Sequence, residues 1–218
     1  MSARFLALGD SYTLGEGIAP AGRWPAQLAR LVRAHGVRLQ TPELVAATGW
    51  TTSDVLAALR TEMPSAPFDL ISLLIGVNDQ YRGLSPAHYR SRFRELLLLA
   101  ITLADNEPRR VLVLSIPDWG ATPFGARDPR GTDAISMSID QFNRENHGEA
   151  TAVGTQYADV TQISRQAAGV PAMLTADQLH PSAAMYARWA RRLLAVSLAV
   201  LGDAELTRHR RPGPALPG

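Results

Sequence analysis

The sequence predicts an α/β fold in which a parallel sheet of roughly five strands lies between helices. Two observations predict it. Short apolar runs alternate with longer helical ones about five times along the chain, the pattern of strand–helix–strand units. The runs at 70–75 and 111–115 are apolar apart from Ser72 and Ser115, as in strands covered on both faces.

The elements follow in order. Residues 5–8 read as the first strand. Residues 25–35 read as a helix, with Pro25 in its first turn and Gly36 just past its end. Residues 44–47 are the next strand. Residues 52–60 are a helix with threonine and serine at hand to cap it. After the strand at 70–75, Ser85 and Pro86 open a long helix reaching about residue 104. Its apolar face is Tyr89, Phe93, Leu96, Leu97, Ala100 and Ile101. The strand at 111–115 is stopped by Pro117. A helix with a weaker pattern falls within 135–152, and a short strand at 157–160. The last helix covers 182–201, where Arg188, Arg191 and Arg192 interrupt the apolar positions as on an amphipathic surface.

The chain has 218 residues, 46% of them hydrophobic, which suits one core. The expected organisation is a single domain at 1–206 and a disordered, basic C-terminal tail at 207–218, rich in proline and glycine. All 22 basic residues are arginine, so Schiff-base and lysine-base chemistry is excluded. Arg208, Arg210 and Arg211 lie in the tail. Without them the bases no longer outnumber the 20 acids. The positive excess belongs to the tail and not to a face of the fold, so no nucleic-acid partner is expected. Cysteine is absent, which removes disulfides, thiolate chemistry and cysteine-type zinc sites. His35, His88 and His147 are scattered, and no histidine pair has metal-ligand spacing; neither a metal nor a cofactor is expected. The N-terminus shows no charged segment followed by an apolar one, so no signal peptide is expected and the expected location is cytoplasmic. The longest apolar runs, 96–104 and 193–201, fall short of the roughly 20 residues that span a bilayer, and no membrane partner is expected.

Ligands of open parallel sheets bind outside the carboxyl ends of the strands. Three polar, glycine-bearing segments fall there: Gly9-Asp10-Ser11-Tyr12-Thr13-Leu14-Gly15-Glu16-Gly17, Thr48-Gly49-Trp50, and Gly76-Val77-Asn78-Asp79. A fourth, Asp177-Gln178-Leu179-His180-Pro181, precedes the last helix. Acyl transfer needs a nucleophile, a base, a group that orients the base, and donors aimed at the oxyanion. Ser11 supplies a hydroxyl. His180 can take its proton, and Asp177, three residues earlier, can reach the imidazole. The backbone N–H groups of Ser11 and Gly49 and the side-chain amide of Asn78 are the candidate oxyanion donors. Each segment alone also reads as an ordinary turn or cap; their coincidence at the strand ends carries the reading.

On these residues the chain resembles the SGNH hydrolases, also called GDSL lipases or esterases. The resemblance rests on Gly9-Asp10-Ser11 with Gly15 and Gly17, Gly49, Gly76-Val77-Asn78-Asp79 and Asp177-Gln178-Leu179-His180-Pro181, and it covers all but the tail. It implies a three-layer α/β/α sandwich of flavodoxin-like order. It also implies Ser11 as nucleophile, His180 as base oriented by Asp177, and Gly49 and Asn78 as oxyanion donors. The second glycine of the Gly-x-Ser-x-Gly elbow is missing, which disfavours the α/β-hydrolases.

The expected partner is a small acyl ester, soluble and short-chained. The residues leave a carbohydrate deacetylase, a thioesterase or a lysophospholipase open on the same site, and the oligomeric state open too. A nucleotide- or flavin-binding protein is the rival of another class. Against it, the loop at 9–17 lacks both Gly-x-Gly-x-x-Gly and the phosphate-loop lysine. Trp50 and Trp119, with Phe124 in the turn-rich loop after the fourth strand, are candidates to line a substrate pocket or simply to pack in the core.

Overall fold

The computed structural model describes residues 2–167 and 169–210. Five strands, β1 (Phe5–Gly9), β2 (Glu43–Ala46), β3 (Leu70–Leu74), β4 (Val111–Leu114) and β5 (Gln156–Ala158), form one parallel sheet in the order β2-β1-β3-β4-β5. The central β1, β3 and β4 are buried at every residue, which is why their sequences run apolar without alternation. The edge strand β2 is partly exposed.

The helices are α1 (Ser11–Leu14), α2 (Trp24–Ala34), α3 (Thr52–Thr61), α4 (Val77–Tyr81), α5 (Pro86–Leu103), α6 (Thr132–Val153), α7 (Thr161–Ala167) and α8 (Ala183–Arg210). Among them α8 packs against α2 and α7, while α5 packs against α3 and α6. Chain direction explains this division. The first crossover runs from β1 outward to β2, and the later ones run the other way across the sheet. Right-handed crossovers then put their helices on opposite faces. The six apolar positions expected on α5 are all buried. No helix among the described residues is long and apolar enough to cross a membrane.

Three short helices, α1, α4 and α7, were not expected, because four to seven residues are too few to show a helical period. Thr51, one residue before the expected start, caps α3: it accepts from the Asp54 backbone while the Asp54 carboxylate accepts from the Thr51 backbone. The last helix does not end at 201 but runs to Arg210, because the apolar stripe continues through Val200, Leu201 and the buried Ala204. Part of the segment expected as a tail is therefore helical. The remainder, 211–218, lies outside the described residues.

Register sets up the site. Gly9 pairs with Ala46 on one side and Leu74 on the other, so β1, β2 and β3 end in one row. This row is the switch point of the sheet, where the strand order reverses and crossovers depart to opposite faces. The segments bearing Ser11, Gly49 and Asn78 emerge there side by side.

Candidate active site

Gly9 ends β1 because nothing larger fits: a Cβ there would lie 2.4 Å from the Leu74 carbonyl oxygen and closer still to the Thr13 hydroxyl. Asp10 then leaves the sheet and caps α1, its Oδ1 accepting the Tyr12 N–H at 2.9 Å. The Asp10 carbonyl accepts from Thr13 and Leu14. Of the first four N–H groups of this turn, only that of Ser11 makes no hydrogen bond among the described residues. Ser11 therefore presents a hydroxyl and a bare N–H at the same helix start, where the helix dipole favours negative charge.

Behind Ser11 lie two buried acids. Asp79 is tied to α3, accepting from the Thr52 backbone at 3.0 Å and the Thr52 hydroxyl at 2.5 Å. Asp10 is 1% exposed, and no cation among the described residues is a cause of its shift. Burial, joined by the negative charge of Asp79 and only partly offset by the Tyr12 N–H, pushes the Asp10 carboxyl up to about 7.

The loop before α8 brings the other two expected residues to Ser11. Thr175 N–H donates to the His180 carbonyl at 2.8 Å, closing a tight loop in which Gln178 adopts a left-handed φ of 61°. Asp177 sits inside it. Its Oδ1 accepts from the Thr175 hydroxyl at 2.6 Å and from the N–H groups of Leu179 and His180 at 2.8 and 3.0 Å. Its Oδ2 lies 2.7 Å from His180 Nδ1. Burial raises this carboxyl, but the hydrogen bonds outweigh it and hold its pKa at about 2. An ionised carboxylate can only accept, so His180 Nδ1 carries the proton and donates. In a neutral ring Nε2 is then the acceptor, and it lies 2.9 Å from Ser11 Oγ. The buried Tyr12 ring, 5.4 Å from the imidazole centroid, packs beside it.

The two further expected donors meet the same pocket. Gly49 has φ +81°, a backbone state costly for any residue with a Cβ, and its N–H makes no hydrogen bond among the described residues. Gly76, at φ +124°, turns the chain from β3 into α4; a Cβ there would strike the Tyr89 ring at 2.5 Å. Asn78 follows in the first turn of α4. One amide hydrogen goes to the Trp50 carbonyl at 2.8 Å, which fixes the plane of the amide. The second amide hydrogen makes no hydrogen bond among the described residues.

Ser11, Gly49, Asn78 and His180 line one cavity of about 240 Å³, together with Tyr12, Thr48, Val77, Tyr81, Trp119, Phe124 and Leu179. Trp119 and Phe124, the candidates for a pocket wall, line this cavity. Trp119 is anchored by its indole N–H, which donates to Gln80 Oε1 at 2.8 Å. Trp50 is not a wall residue. Its side chain is half-buried and packs against the hydrophobic core instead, and its carbonyl accepts from the Asn78 amide. Tyr81 and Thr175 were not expected. Tyr81 reaches the pocket only because α4 is helical, which five residues of sequence do not reveal. Thr175 lies two residues before Asp177, and the only signal for it was that proximity.

A family model for GDSL-like lipases and acylhydrolases matches residues 7–188. No curated protein matches the chain. Among solved structures, TesA superposes with a TM-score of 0.72 at 23% identity, covering 91% of this chain and 99% of that one. The lipase/acylhydrolase from Enterococcus faecalis superposes at 0.70 with 20% identity, covering 97% and 100%. Axe2, an acetylxylan esterase from Geobacillus stearothermophilus, superposes at 0.68 with 21% identity, covering 89% and 94%. At these identities the likeness is one of fold.

Proposed function

The chain belongs to the GDSL-like lipase/acylhydrolase family, and from that premise we propose that it hydrolyses short-chain, soluble carboxylic esters through an acyl-enzyme on Ser11. The observation that carries the reading is the Ser11–His180–Asp177 relay, with contacts of 2.9 and 2.7 Å, opening on a small apolar cavity. Ser11 Oγ attacks the ester carbonyl carbon as its proton passes to His180 Nε2. The carbonyl oxygen becomes an oxyanion facing the N–H groups of Ser11 and Gly49 and the amide of Asn78. His180 then gives the proton to the departing alcohol. Water repeats the sequence on the acyl-enzyme and frees the acid. Asp177 stays ionised throughout and holds the imidazolium.

Cavity size supports the short acyl chain. At about 240 Å³ it lies below the ~300–1,000 Å³ typical of sites for drug-sized ligands. Each methylene that fits is worth about 0.8 kcal/mol of burial, and one that does not fit is excluded sterically. With p-nitrophenyl esters, kcat/KM should rise for a few carbons and then drop sharply. A rise continuing to palmitoyl, or a jump above the micellar threshold, would replace this reading with a lipase or lysophospholipase.

One observation favours a second reading, an acetylated sugar as substrate. The Tyr81 ring is 48% exposed at the cavity, edge-on to Trp119 at 5.4 Å, and the Arg130 guanidinium lies 5.0 Å over it. A half-exposed aromatic ring is a surface on which a sugar ring can pack. Acetylated xylo-oligosaccharides assayed beside p-nitrophenyl acetate separate the readings: a sugar esterase prefers the former, and Tyr81→Ala abolishes that preference.

A further inference from the structure

We propose that Arg82 is a positioning residue that ties the two oxyanion donors, Gly49 N–H and Asn78 Nδ2, into one rigid unit. The inference rests on the reading of those groups as oxyanion donors given above.

Arg82 follows the last residue of α4 and touches both donors' backbones. Its own N–H donates to the Asn78 carbonyl at 3.0 Å, closing the turn that presents the Asn78 side chain. Its guanidinium donates through Nη2 to the Gly49 carbonyl at 2.7 Å. The loop bearing Gly49 is held at three successive residues from three places. The Thr48 hydroxyl bonds the Glu16 carboxylate, the Gly49 carbonyl bonds Arg82, and the Trp50 carbonyl bonds Asn78.

The need for such a clamp follows from Gly49 itself. Glycine populates positive and negative φ about equally, so φ +81° is not fixed by the residue. A change of φ swings the N–H relative to the carbonyl that follows it. With the carbonyl held by Arg82 and the preceding residue held by Glu16, the N–H has one direction. An oxyanion donor contributes only if it is oriented before the charge develops. Arg82 itself is exposed, its side chain is not among the residues lining the cavity, and nothing requires it to touch substrate.

The test is a double-mutant cycle on p-nitrophenyl acetate, with kcat, KM and Tm measured for Arg82→Ala, Arg82→Lys, Asn78→Ala and the double variant. Arg82→Ala should lower kcat about tenfold or more with KM within roughly twofold. Arg82→Lys should restore part of it through its remaining donors. In the Asn78→Ala background the Arg82 substitution should cost clearly less than alone, since the two serve one unit. Binding of a boronic acid that mimics the tetrahedral intermediate should weaken in parallel with kcat, while binding of the product acid stays unchanged; a general loss of fold would weaken both. If Asn78→Ala leaves kcat intact, the oxyanion assignment itself fails. If Asn78→Ala lowers kcat but Arg82→Ala does not, or acts only on KM, or costs the same in both backgrounds, the clamp is refuted and the oxyanion reading stands.

Discussion

Replacing Asp10 by asparagine should make the protein more stable at neutral and alkaline pH and should flatten its dependence on pH. Asp10 is buried beside Asp79, with its carboxyl at about 7 in the fold against 3.8 for an ordinary aspartate. Below 3.8 both folded and unfolded chains hold the proton, and the group leaves stability unchanged with pH. Between 3.8 and about 7 the unfolded chain releases the proton while the folded chain keeps it, so stability falls as pH rises. Above about 7 both are ionised and the full cost remains. At about 1.4 kcal/mol for each tenfold change in proton affinity, the cost is roughly 4 kcal/mol. Asparagine caps helices about as well as aspartate and can still accept the Tyr12 N–H. Its amide N–H₂ is buried too, which lowers stability by a pH-independent amount of about 1–3 kcal/mol. The change with pH is thus the diagnostic quantity. Urea unfolding of both proteins from pH 4 to pH 8 should show the variant gaining roughly 4 kcal/mol on the wild type across that range. Part of the gain is relief of Asp79, which faces the same charge. Asp177 does not confuse the result: its carboxyl is held at about 2, so its stabilisation is lost only as pH falls below 3.8. A stability difference that stays constant from pH 4 to 8, or that shrinks as pH rises, would refute the buried, uncompensated Asp10.

Ser11→Ala and His180→Ala should each lower kcat on the order of a millionfold, and the double variant should cost little more, because the pair acts as a unit; the check is turnover of p-nitrophenyl acetate together with fluorophosphonate labelling that disappears in Ser11→Ala. Asp177, held at about 2, stays ionised from roughly pH 5 to 8, so Asp177→Asn should lower kcat/KM throughout that range; a loss confined to one end of it would contradict this. Gly76→Ala should destabilise by about 2–4 kcal/mol, combining a positive φ with a clash on Tyr89 and Ile116. Its Tm should fall well below that of Gly148→Ala, where the added methyl group meets open space.

The sheet was legible in the sequence because burial on both faces writes itself as apolar runs without alternation, and β1, β3 and β4 carry them with Ser72 the one polar residue. The apolar face of α5 was legible because eighteen residues give a helical period time to repeat. The candidate site was legible as well: Ser11, Gly49, Asn78, Asp177 and His180 are polar or glycine residues where a buried strand has just ended or a helix is about to begin. What those residues share with one another was not legible. Ser11 and His180, 169 positions apart in the chain, meet at 2.9 Å through tertiary packing in which α8 lies on α2. Trp50 and Tyr81 show the limit most directly. Trp50 adjoins Gly49 in sequence yet packs, half-buried, against the core, while Tyr81 reaches the cavity from a helix too short to announce itself. The same holds for Asp10. Its identity is plain in the sequence, but its raised pKa depends on burial and on Asp79, which approaches from another strand end. Sequence determines which groups stand at the ends of the strands, because solvent exclusion acts on each residue where it stands. Distance, desolvation and the direction of a hydrogen bond are properties of pairs, and for residues far apart in the chain only the tertiary structure decides them.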